Sequence, residues 1–246
     1  RGISLLLGNI GWVLNVQSKY KEAIDYYQQS LDLARAVGNP HLVTVQLQEL
    51  GASYSLIGEY ETGMSYFEQC LAMRRSMGDK IGIGSVLNQI GLYTSKKGDL
   101  AKAEEYLLES ISIGKETGEK GVTIDGLCNL GTVYAKQGDS RATACFMEGL
   151  KSAREIQTPV GVYSNLLGMG WFFAMNGQPQ RAGELIGVIQ STGDISSHLH
   201  RDIDELLPVI QLALTPNDLN TCLERGKTLN LDEVANMLLA EFDKSE

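Results

Sequence analysis

Apolar and small residues recur along the chain with a period of about 40 residues, which lies in the range of helical repeats. An apolar residue followed by glycine occurs at five regularly spaced places, and the interval between successive glycines is constant except for the last, which is one residue shorter. The position seven residues further on holds glycine in four units and serine in the first. The five glycines that begin this pattern are Gly11, Gly51, Gly91, Gly131 and Gly170. A period kept by two positions over five units predicts a tandem structural repeat.

A third series marks the boundaries between units and consists of Gly38, Gly78, Gly118 and Gln157. The residues after them, such as Asn39-Pro40 and Thr158-Pro159, are typical of a helix N-terminus. The last intervals of all three series shorten together, so we expect one residue to be missing from the fourth unit, between Gly138 and Leu150.

Each unit is predicted to form two helices joined by the short turn at its central glycine. Leu47, Leu50 and Tyr54 before one turn, and Phe67 and Leu71 after it, lie at helical spacing. Sustained alternation with a period of two is absent, so the chain is predicted to be all-α. The helix pairs are expected at residues 1–38, 39–78, 79–118, 119–157 and 158–192.

The C-terminal segment, residues 193–246, does not continue the repeat. Helices are expected near residues 201–214, 216–225 and 231–242, after a loop that contains Gly193 and His198-Leu199-His200. Residues 201–246 hold 4 basic and 10 acidic residues, so their net charge is −6. We therefore predict an acidic helical cap that covers the last repeat.

The unit pattern resembles the tetratricopeptide repeat. The resemblance rests on Leu130-Gly131 with Tyr134 three positions after the glycine, and on Ile10-Gly11 followed by Ala23 and Tyr27. Gly63 and Thr94 depart from the usual alanine and tyrosine. The resemblance implies a right-handed superhelix of about five helix pairs, whose first helices line a concave groove.

A second resemblance covers part of the C-terminal quarter of the chain. The stretches 181–187, 224–229 and 231–234 resemble the C-terminal end of large bacterial regulators that join a nucleotide-binding switch to a helical repeat arm. This resemblance implies an ATP-driven switch upstream. Ile3, Leu5, Leu6 and Leu7 begin the first helix without a preceding unit, so we expect further repeats or another domain before Arg1.

Charge and composition narrow the range of partners that the chain is expected to bind. The net charge of −9 disfavours nucleic acid and anionic membranes as general partners. The longest stretch without a formal charge, residues 156–180, contains Pro159 and several polar residues, which suits a buried hairpin better than a membrane span. Four scattered cysteines, Cys70, Cys128, Cys145 and Cys222, suggest reduced thiols and a cytoplasmic protein.

Catalytic and metal signatures are weak, so we predict no enzyme, no cofactor and no metal. Gly226-Lys227-Thr228 ends like a phosphate-binding loop, but Thr221 stands where that loop needs glycine. His198 and His200 diverge on a helix and have no third histidine close in sequence. His41 is expected at a helix start on the surface.

The candidate site is the wall formed by the first helix of each unit. Positions around the repeated glycine are predicted to face a ligand, which is a peptide, a protein segment or a small molecule. The candidate ligand-binding residues are Trp12, Asn15, Gln48, Asn88, Ser95, Lys96, Asp125, Asn129, Thr132, Lys136 and Trp171. A second row, Asn9, Glu49, Gln89 and Asn129, lies two positions before the glycine. Packing of Trp12 and Trp171 against neighbouring units is an equally good explanation of both tryptophans.

The predicted function is therefore non-enzymatic binding. The principal hypothesis is the sensor arm of a bacterial ATP-dependent signalling or transcription regulator, partnered by an upstream domain of the same polypeptide. The alternative is a stand-alone adaptor or peptide receptor. A clamp for a C-terminal carboxylate is disfavoured, because the position after the repeated glycine holds Trp12, Ala52, Leu92, Thr132 and Trp171 rather than asparagine.

Overall fold

The computed structural model describes residues 2–193 and 197–242. Thirteen α-helices and no β-strand occur in these ranges, which confirms the predicted all-α repeat fold. The helices are α1 (Gly2–Val16), α2 (Tyr20–Ala36), α3 (Pro40–Leu56), α4 (Tyr60–Met77), α5 (Lys80–Lys96), α6 (Leu100–Thr117), α7 (Lys120–Lys136), α8 (Arg141–Glu155), α9 (Pro159–Met175), α10 (Pro179–Ser191), α11 (Ser197–Gln211), α12 (Pro216–Lys227) and α13 (Leu231–Phe242).

The helices α1 to α10 form the five expected pairs, and local side chains set where the first helix of a pair begins. The Asn39 side chain accepts a hydrogen bond from the backbone N–H of Leu42, and Asp79 accepts one from Gly82. Thr158 caps α9 in the same way. These caps satisfy amides that the first turn leaves without a helical partner, so these three boundaries follow from local sequence. Glu119, which precedes α7, makes no such bond.

Left-handed residues close the turns. The glycines at the turn and boundary positions of the repeat have φ between 65° and 97°. Ser18 and Gln157, which replace glycine in these two series, keep the same conformation with φ of 60° and 54°. The turn is therefore imposed by the packing of the repeat even where the residue carries a Cβ atom.

The repeated glycine lets a large side chain of the second helix contact the backbone of the first. A Cβ atom at Gly11, Gly51 or Gly131 would lie 2.6–2.7 Å from a ring carbon of Tyr27, Phe67 or Phe146, respectively. At Gly91 it would lie 2.6 Å from Cγ of Leu107. Each of these four partners is fully buried or nearly so, so a side chain at the glycine position would displace the core of its helix pair.

A fourth repeated feature is a hydrogen bond from the second helix to the first. The Ser30 hydroxyl donates to the Ser4 carbonyl, the Cys70 thiol to the Thr44 carbonyl, and the Ser110 hydroxyl to the Gly84 carbonyl. Donors and acceptors both advance by one full repeat length from unit to unit. The sequence alone does not reveal this series, because its donor position holds serine in two units and cysteine in the third. These residues have in common only a side chain that can donate a hydrogen bond.

The structure places the missing residue of the fourth unit in its central turn. The position equivalent to Ala23 comes five positions after the turn residue in the other units, as Ala103 comes after Gly98. In the fourth unit this position, Ala142, comes only four positions after Gly138. Asp139 and Arg141 form an ion pair there, at 2.7 Å. The register of the hydrogen-bond series then places Gly149 at the donor position, where no side chain can donate.

The chain forms two compact units, Arg1–Thr117 and Gly118–Glu246, which we name the N-terminal unit and the C-terminal unit. The N-terminal unit holds three helix pairs. The C-terminal unit holds two pairs and α11 to α13. The boundary expected between residues 192 and 193 stays a prediction.

Two glycines bring α12 against α10 in the C-terminal unit. The Cα atom of Gly226 would lie 2.9 Å from a Cβ atom at Gly187, and this Cβ atom would also collide with the Leu223 carbonyl. Gly226-Lys227 thus ends α12 at a helix crossing and is not part of a loop, and Thr228 is the C-cap. The α11 helix begins earlier than expected, at Ser197, so His200 lies in a helix; the side chain of His198 lies outside the described residues.

We expect Gly131→Ala to lower the free energy of unfolding by about 1–3 kcal/mol, because the added methyl group meets the buried Phe146 ring. Chemical denaturation measures the change. Gly121→Ala on the same helix is the control, since a Cβ atom there meets only Glu119 Oε1 at 3.4 Å. The control is expected to keep or raise stability by up to about 1 kcal/mol. Equal losses in both variants would contradict the packing role.

We expect Gln157→Gly to raise the free energy of unfolding by about 0.5–1 kcal/mol, because glycine relieves a left-handed backbone at φ 54°. The reciprocal variant Gly118→Gln, at the equivalent boundary with φ 73°, is expected to lose about 1 kcal/mol. Thermal unfolding of both variants provides the measurement. A shift of the same sign in both would disprove the conformational explanation.

Candidate functional site

The eleven predicted site residues divide into two sets, one in each unit, which we name the N-terminal surface and the C-terminal surface. The N-terminal surface comprises Trp12, Asn15, Gln48, Asn88, Ser95 and Lys96 on α1, α3 and α5. The C-terminal surface comprises Asp125, Asn129, Thr132, Lys136 and Trp171 on α7 and α9.

Three residues of the N-terminal surface are largely inside the protein. Asn15, Asn88 and Ser95 are exposed by 6 %, 7 % and 9 %. The Asn15 amide donates a hydrogen bond to the Ser53 hydroxyl at 3.1 Å, which joins α1 to α3. The Ser95 hydroxyl donates to the Leu92 carbonyl in its own helix. Asn15 thus helps to hold two helices together, and all three side chains offer little surface to a ligand.

Gln48 belongs to a network around the buried guanidinium of Arg74. Its amide oxygen accepts from Arg74 at 2.9 Å, and its amide nitrogen donates to the Ser85 hydroxyl at 3.1 Å. Arg74 also forms an ion pair with Asp79 at 3.2 Å, and its side chain is only 11 % exposed. The network therefore joins α3, α4 and α5 with both polar groups of Gln48 engaged.

Trp12 is the most exposed residue of the N-terminal surface. Trp12 is 60 % exposed, and Lys96 is half-buried and engaged in a polar or electrostatic interaction. Exposure of so much of an indole ring does not fit the alternative that Trp12 packs against a neighbouring unit within the described residues.

The second row of polar residues adds a half-buried acid, Glu49, to this unit. The Tyr27 hydroxyl donates to Glu49 Oε2 at 3.3 Å. Burial raises the pKa of the Glu49 carboxyl, and burial together with the nearby carboxylate raises the pKa of Tyr27. The pair links α2 to α3.

The C-terminal surface keeps its polar side chains accessible. Asp125, Asn129, Thr132 and Lys136 lie at spacings of four, three and four residues, so they share one face of α7. Asp125 is exposed and the other three are half-buried. The Thr132 hydroxyl donates to a backbone carbonyl within α7, and Asn129 and Lys136 also have interaction partners.

Lys136 connects α7 to the tryptophan on α9. Its ammonium nitrogen lies 5.0 Å from the centre of the Trp171 ring, which is cation–π distance. Trp171 is half-buried, so one part of its indole packs in the protein while another part remains available. Sequence reasoning had predicted both residues but not their contact, because they lie far apart in the chain, in different repeats.

The surroundings of Asp125 are only partly aqueous. Although the side chain reaches solvent, nearby protein desolvates the carboxylate and raises its pKa to about 6. Burial also raises the pKa of the Cys128 thiol, and the charges of Asp125 and of Asp202 contribute. Asp202 lies on α11 and therefore close to this surface, a contribution that sequence reasoning missed because α11 was assigned only to the cap.

The α11 helix packs against the first helix of the fifth repeat. A Cβ atom at Gly170 would lie 3.1 Å from Cδ2 of Leu206. Leu167, which the repeat register places towards a ligand, is only 3 % exposed. The cap thus covers part of α9 at Gly170, and the neighbouring Trp171 stays half-buried.

The described residues contain no group of three or more histidine, cysteine, aspartate or glutamate side chains arranged to hold a metal ion. Among the same residues no helix has the length and apolar character needed to cross a membrane. A shallow cleft of about 670 Å³ lies in the N-terminal unit, lined in part by Ala34, Val43 and Met73. No predicted site residue lines this cleft.

Two tetratricopeptide-repeat family models match the chain, at residues 2–76 and 84–115. No curated protein matches it at a significant level. Among solved structures, a Rap protein complexed with competence and sporulation factor is similar in fold, with a TM-score of 0.73 and 15 % identity. The match covers 99 % of this chain and 65 % of that chain, so this chain spans less than two thirds of the Rap protein.

A putative kinesin light chain with nearly identical TPR-like repeats from Podosopora anserina is also similar. Its TM-score is 0.56 at 16 % identity, over 77 % of this chain and 96 % of that chain. A point variant of it gives a TM-score of 0.58. The family models and the structural matches together establish that the chain contains tetratricopeptide repeats. These matches do not confirm the resemblance to the C-terminal arm of ATP-dependent regulators.

We expect Asp125→Asn to change how stability depends on pH. The folded-state pKa is raised from 3.8 to about 6, so this carboxyl binds its proton more tightly in the folded protein than in the unfolded chain. Its stabilising contribution is complete below about pH 4 and is lost as the pH rises through about 6. The variant should therefore gain stability relative to the parent protein between about pH 4 and 7, as measured by urea midpoints.

Asp139→Asn is the control for this measurement. Hydrogen bonds from Arg141 lower the pKa of Asp139, so its stabilising contribution is lost as the pH falls. Since this carboxyl is ionised in both the folded and the unfolded state above about pH 4, the variant should show no trend relative to the parent protein between about pH 4 and 7. A parallel trend in the two variants would refute the assignment of Asp125.

Proposed function

We propose that the chain is a non-enzymatic binding domain that holds an extended peptide or protein segment on its C-terminal surface. The observation that carries the proposal is the accessible row Asp125, Asn129, Thr132 and Lys136 on one face of α7, continued by Trp171 on α9. Amide and hydroxyl groups suit a peptide backbone, and the tryptophan suits an apolar side chain.

The charges of this row favour a peptide that carries opposite charges at two defined positions. Asp125 and Lys136 lie three helical turns apart on one helix, which corresponds to about 16 Å along its axis. An extended peptide covers this distance in about five residues. A basic group opposite Asp125 offsets the desolvation of that carboxylate, and an acidic group opposite Lys136 adds a charge-assisted contact. We therefore propose a peptide with a basic and an acidic residue about five positions apart.

The comparisons support peptide binding at the level of the repeat. Tetratricopeptide repeats bind peptides and protein segments and are typically non-catalytic scaffolds. The Rap structure is a complex with competence and sporulation factor. An adaptor or peptide receptor is accordingly the form of the proposal that we favour.

A second candidate is the sensor arm of a bacterial ATP-dependent regulator in the cytoplasm. It is favoured by the likeness of residues 181–187 and 224–229 to the end of such arms, and these stretches pack closely through Gly187 and Gly226. In this version, ligand binding shifts the population of an upstream switch domain. A phosphate-binding loop upstream of Arg1 in the full-length sequence would favour the arm, and its absence would favour the adaptor.

The test selects peptides from a phage-displayed random library on the purified chain and measures the enriched peptides by calorimetry. We expect the double variant Asn129→Ala with Lys136→Ala to bind them about tenfold or more weakly, because it removes an amide contact and a charge-assisted one. Helical content by circular dichroism should be unchanged.

Lys120→Ala is the matched control, because Lys120 lies on α7 but pairs with Glu155 of α8, at 2.7 Å. Its affinity for the selected peptides should equal that of the parent protein. Failure to enrich any peptide, or unchanged affinity in the double variant, would overturn the proposed binding surface.

A further inference from the structure

The first helix carries an exposed apolar face that the repeat itself explains. Ile3, Leu6, Ile10 and Val13 of α1 are 43–69 % exposed, and their spacing places them on one side of the helix. We name these four residues, together with Gly2, the α1 face. It is distinct from Trp12, which belongs to the N-terminal surface.

The equivalent positions are buried in later repeats. In α3, one repeat further on, Val43, Gln46, Leu50 and Ser53 are exposed by 6 % or less. In α5, after another repeat, Val86, Ile90 and Tyr93 are exposed by 4 % or less, and Ile83 is half-buried. The α1 face therefore has the sequence and register of an interface between consecutive helix pairs.

The second helix of the preceding pair covers these positions inside each unit. In the N-terminal unit, the Phe67 ring of α4 stacks on Tyr93 of α5, with centroids 5.7 Å apart. In the C-terminal unit, Asn165 of α9 is the equivalent of Leu6, and a Cβ atom at Gly149 of α8 would collide with the Asn165 side chain. The same arrangement thus occurs independently in both units.

A glycine near the start of the first helix also contacts the second helix of the preceding pair. Gly2, Gly82 and Gly161 occupy one repeat position, allowing for the missing residue. A Cβ atom at Gly82 would collide with Arg74 of α4, and one at Gly161 would lie 3.0 Å from Cβ of Ala153 of α8. Arg74 and Ala153 are themselves equivalent positions. At Gly2 no atom lies within 4 Å of the added Cβ.

We propose that the α1 face is a docking site for a further helix pair of the repeat type, stacked ahead of α1. Its second helix runs antiparallel to α1, as α4 does to α5, and places a side chain over Gly2. Continuity with the interfaces between internal repeats identifies this occupant.

A second copy of the chain fits the α1 face less well than a further helix pair does. The last helix pair would have to present α10 to α1 of the next copy, but α12 already packs on α10 through Gly187 and Gly226. A Cβ atom at Gly183 of α10 would also lie only 3.0 Å from Cβ of Cys222. End-to-end stacking of copies would require α12 to leave this position.

The test supplies the proposed occupant by fusing a copy of residues 39–80 directly before Arg1. This fusion keeps the register of the repeat, so the Arg74 of the added copy meets Gly2 as the native one meets Gly82. We expect amide exchange in α1 to slow and the Tm to rise by about 5–10 °C, because the fusion buries the large apolar side chains of the α1 face.

Leu6→Glu is the matched variant. In the unfused chain it should leave the Tm unchanged because Leu6 is 62 % exposed, whereas in the fusion it should abolish the gain. Exchange in α1 that is equally fast with and without the added pair would overturn the proposal. So would light scattering that finds the unfused chain dimeric and the Leu6→Glu variant monomeric, since the face would then bind a second copy.

Discussion

The close approach of the two helices in each pair is the constraint on which the rest of the repeat depends. At Gly11, Gly51, Gly91 and Gly131 the first helix has no side chain, and Tyr27, Phe67, Leu107 or Phe146 fills the space. Interiors pack too densely to tolerate an added methyl group at such contacts. The interval between glycine and partner is the same in the first three units and one residue shorter in the fourth, so this contact fixes the length of the helix–turn–helix connection. The shortening is absorbed in the turn and not in the core.

The fifth pair shows how the fold ends when this contact changes. At Gly170 the nearest atom to an added Cβ belongs to Leu206 of α11, not to α10. The cap thus fills the space that the second helix fills in earlier pairs. Meanwhile α10 makes its closest backbone approach to α12 through Gly187 and Gly226. Glycines without a place in the repeat pattern therefore have the same physical role as those within it, at contacts with the C-terminal helices.

Sequence predicted the helix pairs, caps and turns because their signals are local. Asn39 caps its helix through a residue three positions away, and Gly38 needs only its own backbone conformation. The site was harder to predict, since Asn15 and Gln48 bond to serines in the next repeat, Ser53 and Ser85. Nothing near Asn15 indicates that its amide is buried. The detectable signal lies at the next repeat, where Ser53 places a hydroxyl two positions after the repeated glycine.

The contrast between the two surfaces follows from how their polar groups are satisfied. A ligand that competes for the Asn15 amide must first break its bond to Ser53, and exchanging one hydrogen bond for another gains little free energy. Asp125 is different, because desolvation already penalises its charged form and a cationic partner reduces that penalty. The proposed binding on α7 rather than on α1 is based on this difference, although the repeat places equivalent positions on both helices. Repetition sets where side chains point, and their individual partners decide which of them can bind.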